Sequence, residues 1–121
     1  MHKTLYSIEF DSVGNLLDVE FIVNFDNLEQ SVQRNSESQL ESTYKRYRII
    51  KIQKQYSGTP EVLKQLVNKQ SSSENHITKY EIVLSGKKES YRKKYELTTN
   101  SEGTVEEVVR IIPPEMNNLI Y

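Results

Sequence analysis

Alternation of apolar and polar positions divides this chain into short segments. Residues 5–10 and 16–23 read as two extended runs around the turn Asp11-Ser12-Val13-Gly14-Asn15, where Asp suits the start of a type I turn and Gly supplies the positive φ that closes it. Residues 94–112 repeat the layout 89 positions later without a gap, so that Tyr6 meets Tyr95, Ser12 meets Ser101, Gly14 meets Gly103, Val19 meets Val108 and Ile22 meets Ile111. The pattern predicts one hairpin written twice.

Between the copies the period changes. Asp26 with Glu29 three positions on predicts a short helix over 26–34. Ser38-Gln39-Leu40-Glu41 offers a second capping box, ahead of Leu40, Tyr44 and Tyr47 at i, i+4 and i+7, so a second helix is expected there. From Tyr47 onward Ile50, Ile52 and Tyr56 alternate with Lys51, Gln53 and Gln55, which predicts a half-buried strand ending at Ser57-Gly58. Thr59-Pro60 opens a further helix with Val62, Leu63, Leu66 and Val67 on its apolar face. A polar loop over 70–75 precedes three strands, 77–84, 91–99 and 104–112, and Pro113-Pro114 stops the last because proline cannot donate to a ladder. This order implies an α+β protein, an antiparallel β-sheet with helices packed on one face.

Composition sharpens that picture. A chain of 121 residues is long enough for one core in a single domain, yet hydrophobic content of 36% and a mean hydropathy of -0.68 predict a thin core beneath a wide polar surface. The lack of Cys removes disulfides, thiolate nucleophiles and zinc sites built on sulfur. No apolar run approaches the roughly 20 residues of a membrane span, and residues 1–10 lack the features of a signal peptide, so the chain as written reads as soluble. The net charge of -1 conceals a segregation: residues 1–43 hold 2 basic and 8 acidic groups, 44–95 hold 13 and 4, and 96–121 hold 1 and 5. Neighbouring segments that neutralise one another in the fold would account for it.

The block 40–56 (LESTYKRYRIIKIQKQY) runs from helix into strand with a K-x-Q pattern at Lys51 to Gln53, and Tyr80-Glu81-Ile82, Tyr95-Glu96-Leu97 and an Asn-Ser-Glu-Gly turn follow it. These features resemble PepSY-like domains of the beta-lactamase-inhibitor-like kind, found in exported proteins of Bacteroidetes-type bacteria. Residues 36–112 match one complete helix-strand-meander unit, with a helix inserted over 59–69, and residues 5–23 match the terminal hairpin of an incomplete first unit. The resemblance implies a non-catalytic binding or inhibitory module, periplasmic or secreted, that recognises a protein or other macromolecule and uses no cofactor.

The residues offer little material for catalysis. His2 and His76 have no spaced His, Cys or acidic partner, and His76 reads as a solvent-exposed loop histidine. Gly14, Gly58, Gly86 and Gly103 fall where turns are expected rather than in a phosphate loop. Asp11 heads a loop that lacks the ligand ladder and terminal Glu of a calcium site. Carboxylates such as Asp18 with Glu20, or Glu106 with Glu107, read as a wet strand surface. The eight Tyr read mostly as the rim of a thin core. More suggestive are the basic segments interleaved with Tyr, 44–54 and 87–95. They nominate Arg48, Lys51, Gln53, Arg92 and Lys94 as a partner-binding face, and their Tyr and Arg also fit a nucleic-acid or polyanion binder. Self-association through the strand edges of the incomplete unit is a third possibility.

Overall fold

The computed structural model describes residues 4–14, 16–67 and 76–112, with backbone only for 4–7, 16 and 65–67. In chain order the elements are β1 (Thr4–Phe10), β2 (Leu16–Val23), a 3-10 turn (Phe25–Asn27), α1 (Gln30–Thr43), β3 (Arg46–Gly58), α2 (Pro60–Val67), β4 (His76–Lys87), β5 (Arg92–Thr99) and β6 (Val105–Ile111). The strands form one sheet in the order β1-β2-β3-β4-β5-β6, with every neighbouring pair antiparallel. The expected loop 70–75 and the Pro113-Pro114 stop lie outside the described residues.

The repeat in the sequence is a repeat in space. Ile8 pairs with Val19, Glu9 with Asp18 and Phe10 with Leu16; 89 residues on, Leu97 pairs with Val108, Thr98 with Glu107 and Thr99 with Val105. Both copies carry a register shift at the same step, between Glu9 and Phe10 and between Thr98 and Thr99. The turns agree as well. Gly14 donates its N–H to Asp11 O and Gly103 donates to Asn100 O, each at 3.1 Å, with φ of 88° and 90°. In each turn the first side chain accepts from the backbone two residues on, at 2.9 Å. An Asx side chain followed by a glycine in the left-handed region is sufficient chemistry to set this loop twice.

The two short helices expected over 26–34 and from Ser38 are replaced by a single helix. Asp26 sits in the 3-10 turn ahead of α1, and α1 runs without a break through Ser38, the second predicted cap, with Glu29 at its N-cap making no side-chain cap bond. Its buried face is Val32, Ser36 and Leu40, one residue per turn. The middle position is a serine, so the apolar period is interrupted in the middle of the buried face. Ser36 is fully covered and satisfies its hydroxyl by donating to Val32 O at 2.6 Å. Tyr44 ends the helix with extended backbone, and Tyr47 belongs to β3 rather than to a helical stripe. The helix at Pro60 forms as expected, with the Val62 N–H donating to Thr59 Oγ1 at 3.3 Å.

Both helices cover the same face of the sheet. Strand register puts Val19, Phe21 and Val23 of β2, Ile52 and Tyr56 of β3, Tyr80, Ile82 and Leu84 of β4 and Tyr95 and Leu97 of β5 on that side, where they join Val32, Leu40 and Leu63 in one core. α1 is fastened to the second repeat turn by side-chain hydrogen bonds. Asn35 Nδ2 donates to Glu102 O at 2.8 Å, Gln39 Nε2 donates to Gly103 O at 2.9 Å, and Gln39 Oε1 accepts from Val105 N at 2.8 Å. Four of the tyrosines expected at the core rim, Tyr44, Tyr56, Tyr80 and Tyr95, are instead buried in the core.

Candidate functional site

Among the described residues no helix covers the opposite face of the sheet, and that face collects the nominated residues. Its phase on β3 depends on one irregularity. Ile49 pairs with Leu84 and Lys51 with Val83, so Ile50 is an extra residue, half-exposed at 46%. Regular alternation would set Arg48 beside Ile52, under the helices. The bulge turns it outward, to the same side as Lys51 and Gln53.

Register then orders the open face in rows across the strands. Arg46, Lys87 and Arg92 form one row, and Arg48, Ser85, Lys94 and Ile111 form the next. Lys51, Val83, Glu96 and Val109 follow, then Ile22, Gln53, Glu81, Thr98 and Glu107. Glu20 and Asp18 of β2, with Glu9 of β1, continue toward the far end. All five nominated residues therefore share one face, with a cationic band at one end and mainly carboxylates beyond it, where Lys51 lies in the row of Glu96 and Lys79 in the row of Glu20. Arg46, Arg48, Lys87 and Lys94 form no ion pair with a carboxylate among the described residues, and Arg92 turns its guanidinium to Ser85. Arg46 and Lys87 lie in the basic segments 44–54 and 87–95 without being nominated for the face, and only the register adds them to it together with the carboxylates of β2, β4 and β5.

Gln53 plays a different part from its four companions. It is 5% exposed and donates its amide to Glu20 Oε2 at 3.0 Å, so it orients a carboxylate rather than facing a partner. Burial first, and then the like charges of Glu9, Asp18 and Glu96, raise the Glu20 pKa against the lowering pull of Lys51. Glu81 is raised for the same reasons, with Glu20 its strongest charged neighbour. Lys79 and Glu106 pair at 3.0 Å, both partly exposed.

Titratable groups on the helix-covered face are built into the core. The Tyr44 ring fills the space above Gly86, where a Cβ would stand 2.7 Å from it, and lies 5.2 Å from the Tyr95 ring. Lys88 Nζ reaches over both rings, 5.7 and 5.1 Å from their centroids. The Tyr44 hydroxyl is buried without a hydrogen-bond partner among the described residues, and burial with help from Tyr95 pushes its pKa up to about 12. Lys54 points inward between Tyr56 and Tyr80, 5.4 and 5.7 Å from the ring centroids. Burial alone would lower its pKa, but the two hydroxyls outweigh burial and raise it. His76, expected in an exposed loop, is the first residue of β4. Its ring meets Tyr56 edge-on at 5.1 Å, and its Nδ1 is buried without a hydrogen bond among the described residues.

Among the described residues, no three His, Cys, Asp or Glu side chains stand close enough together to hold a metal ion. A hollow of about 490 Å³ runs along the outward surface of α1, lined by Gln33, Arg34 and Glu37 among others, and a cleft of about 320 Å³ lies at the β4–β5 turn between Lys88, Glu89, Tyr91, Lys93 and Tyr95. Among the described residues no helix is long and apolar enough to cross a membrane. The fold and face define an α+β protein with an antiparallel sheet covered by helices on one side and open on the other. Comparison with protein-family models, curated proteins and solved structures finds no match to this chain.

Proposed function

We propose that the chain is a non-catalytic binding module that recognises an acidic macromolecular surface, foremost that of a protein, through the open sheet face. The observation that carries this reading is the band of five cations, Arg46, Arg48, Lys87, Arg92 and Lys94, aligned across three strands. Like charges in opposed cross-strand positions destabilise a sheet by up to about 1 kcal/mol a pair. An anionic partner relieves that repulsion. The PepSY-like resemblance fits the same reading, because helices confined to one face leave the other for a partner, and it adds placement of the module outside the cytoplasm.

Nucleic acid is the weaker reading. A single-strand binder needs stacking rings beside its cations. Here Tyr44 and Tyr95 are buried on the helix side, whereas Arg48, Arg92 and Lys94 face the other way. Among the described residues Tyr91, 76% exposed, is the exposed ring near lysines, and it lies in the cleft at the β4–β5 turn.

The two readings separate in one binding series. Poly-glutamate should bind the wild-type chain and bind the Arg48→Glu/Lys94→Glu variant at least about tenfold more weakly, with affinity falling as salt rises. Equal binding of poly-glutamate to both proteins contradicts the assignment. Preference for single-stranded DNA over poly-glutamate at matched charge would favour the nucleic-acid reading.

A further inference from the structure

The acidic surface that the cationic band would complement is present on the molecule itself. Across the open face the charge changes sign, from Arg46, Lys87, Arg92, Arg48 and Lys94 at one end of β3–β5 to Glu20, Asp18 and Glu9 at the opposite end of β1 and β2, with Glu81 and Glu107 between them and Lys79 paired with Glu106. A twofold axis lying between two such faces and oblique to the strands exchanges these regions, bringing the cations of β3–β5 in each copy over Glu20, Asp18 and Glu9 of the other. We propose that two copies of this chain dock through their open faces as an isologous, face-to-face dimer. This rests on the reading of the open face as a recognition surface, and it names the partner.

Three observations support a second copy over an unrelated acidic protein. The charges are self-complementary, as an isologous contact requires, because the same patch must serve on both sides. Apolar residues are interspersed among them: Ile22 and Val83 are half-buried, and Ile77 and Val109 remain 61% and 49% exposed. Such a mixture suits a contact with an apolar interior and a charged surround. The area is also sufficient. Four strands about 4.8 Å apart and about ten residues long at about 3.3 Å each present roughly 600 Å² per copy. Two copies then bury about 1,200 Å², the lower bound for specific interfaces. Isolated, Glu20 and Glu81 are held among like charges. In the dimer they meet the partner's cations.

Sedimentation equilibrium over a range of concentration and salt tests the proposal. The expected result is reversible association from the 14.2 kDa chain to twice that mass, weakened about tenfold or more when salt rises from low to high. Arg48→Glu/Lys94→Glu and Glu20→Lys/Glu81→Lys should each be monomeric alone and should form a heterodimer when mixed, which also demonstrates that both variants are folded. A wild-type chain that stays monomeric at low salt overturns the dimer, as does association unchanged in both variants. If that monomer still binds poly-glutamate through Arg48 and Lys94, only self-docking falls. If it does not bind, the recognition surface falls with it.

Discussion

Gly14 and Gly103 close identical turns, yet they tolerate change differently. Both have φ near +90°, which strains any L side chain by about 1–2 kcal/mol. A Cβ on Gly14 meets nothing within 4 Å, whereas on Gly103 it would stand 2.8 Å from Val32 O and 3.0 Å from Val32 Cα. The obstacle is helix backbone and has no rotamer to adopt. Gly14→Ala should therefore lower stability by about 1 kcal/mol, and Gly103→Ala by about 3 kcal/mol or more, because α1 must move off the turn. Urea unfolding of the two variants measures the difference, and equal losses would contradict the docking of α1 on the second turn. The glycine requirement was legible in the sequence at both turns. The helix above one of them was not, since Asn35 and Gln39 reach that turn across more than sixty residues.

At the scale of elements, the repeat separates what a strand is from where it stands. β2 and β6 hold equivalent residues in equivalent registers, but β2 lies between β1 and β3 beneath the helices, while β6 has one neighbour in the sheet. Val19 is 0% exposed and its counterpart Val108 is 47% exposed. Val19→Ala should cost about 2 kcal/mol and Val108→Ala under about 0.5 kcal/mol, read by thermal or urea unfolding. The hairpins could be read from the sequence because each is specified within twenty residues by alternation and a turn. α1 could not, because Ser36 occupies a core position where pattern reading looks for an apolar residue, and of the two capping boxes one, Asp26–Glu29, precedes the helix while the other, Ser38–Glu41, lies inside it and caps nothing. The bulge at Ile50 left no signal either. Ile49 and Ile50 are equally suited to a strand, and only pairing with β4 decides which one is extra. That single residue settles the face of Arg48, so the candidate site was nominated from the sequence but its geometry was not.

On the scale of the whole molecule, the sheet divides its labour between faces. One side buries Tyr, Leu and Val under two helices; the other spreads charge along the strands with opposite signs at opposite ends. The acidic and basic segments of the sequence do meet in one sheet, as expected, but on the open face their charges are largely kept apart rather than paired. This has a pH signature. The raised pKa of Glu81 means that the folded state holds its proton more tightly than the unfolded state, so stability rises as pH falls toward that value and is lost as pH climbs through it. Glu81→Gln should therefore raise Tm at pH 7, where it removes a charge crowded by Glu20 and Glu96, and should leave Tm unchanged near pH 4, where the wild-type carboxyl is already protonated. A Tm gain that persists at pH 4 would point to packing instead.

A backbone amide shift map tests whether the cationic band on the open face is the recognition surface. The 15N-labelled chain would be titrated with poly-glutamate, following the amides of all described strands. The largest shifts are expected in β3 around Arg46 and Arg48, in β4 around Ser85 and Lys87, and in β5 around Arg92 and Lys94, with α1 and α2 undisturbed. Shifts concentrated on α1, or on the cleft around Tyr91, with the band silent, would contradict it.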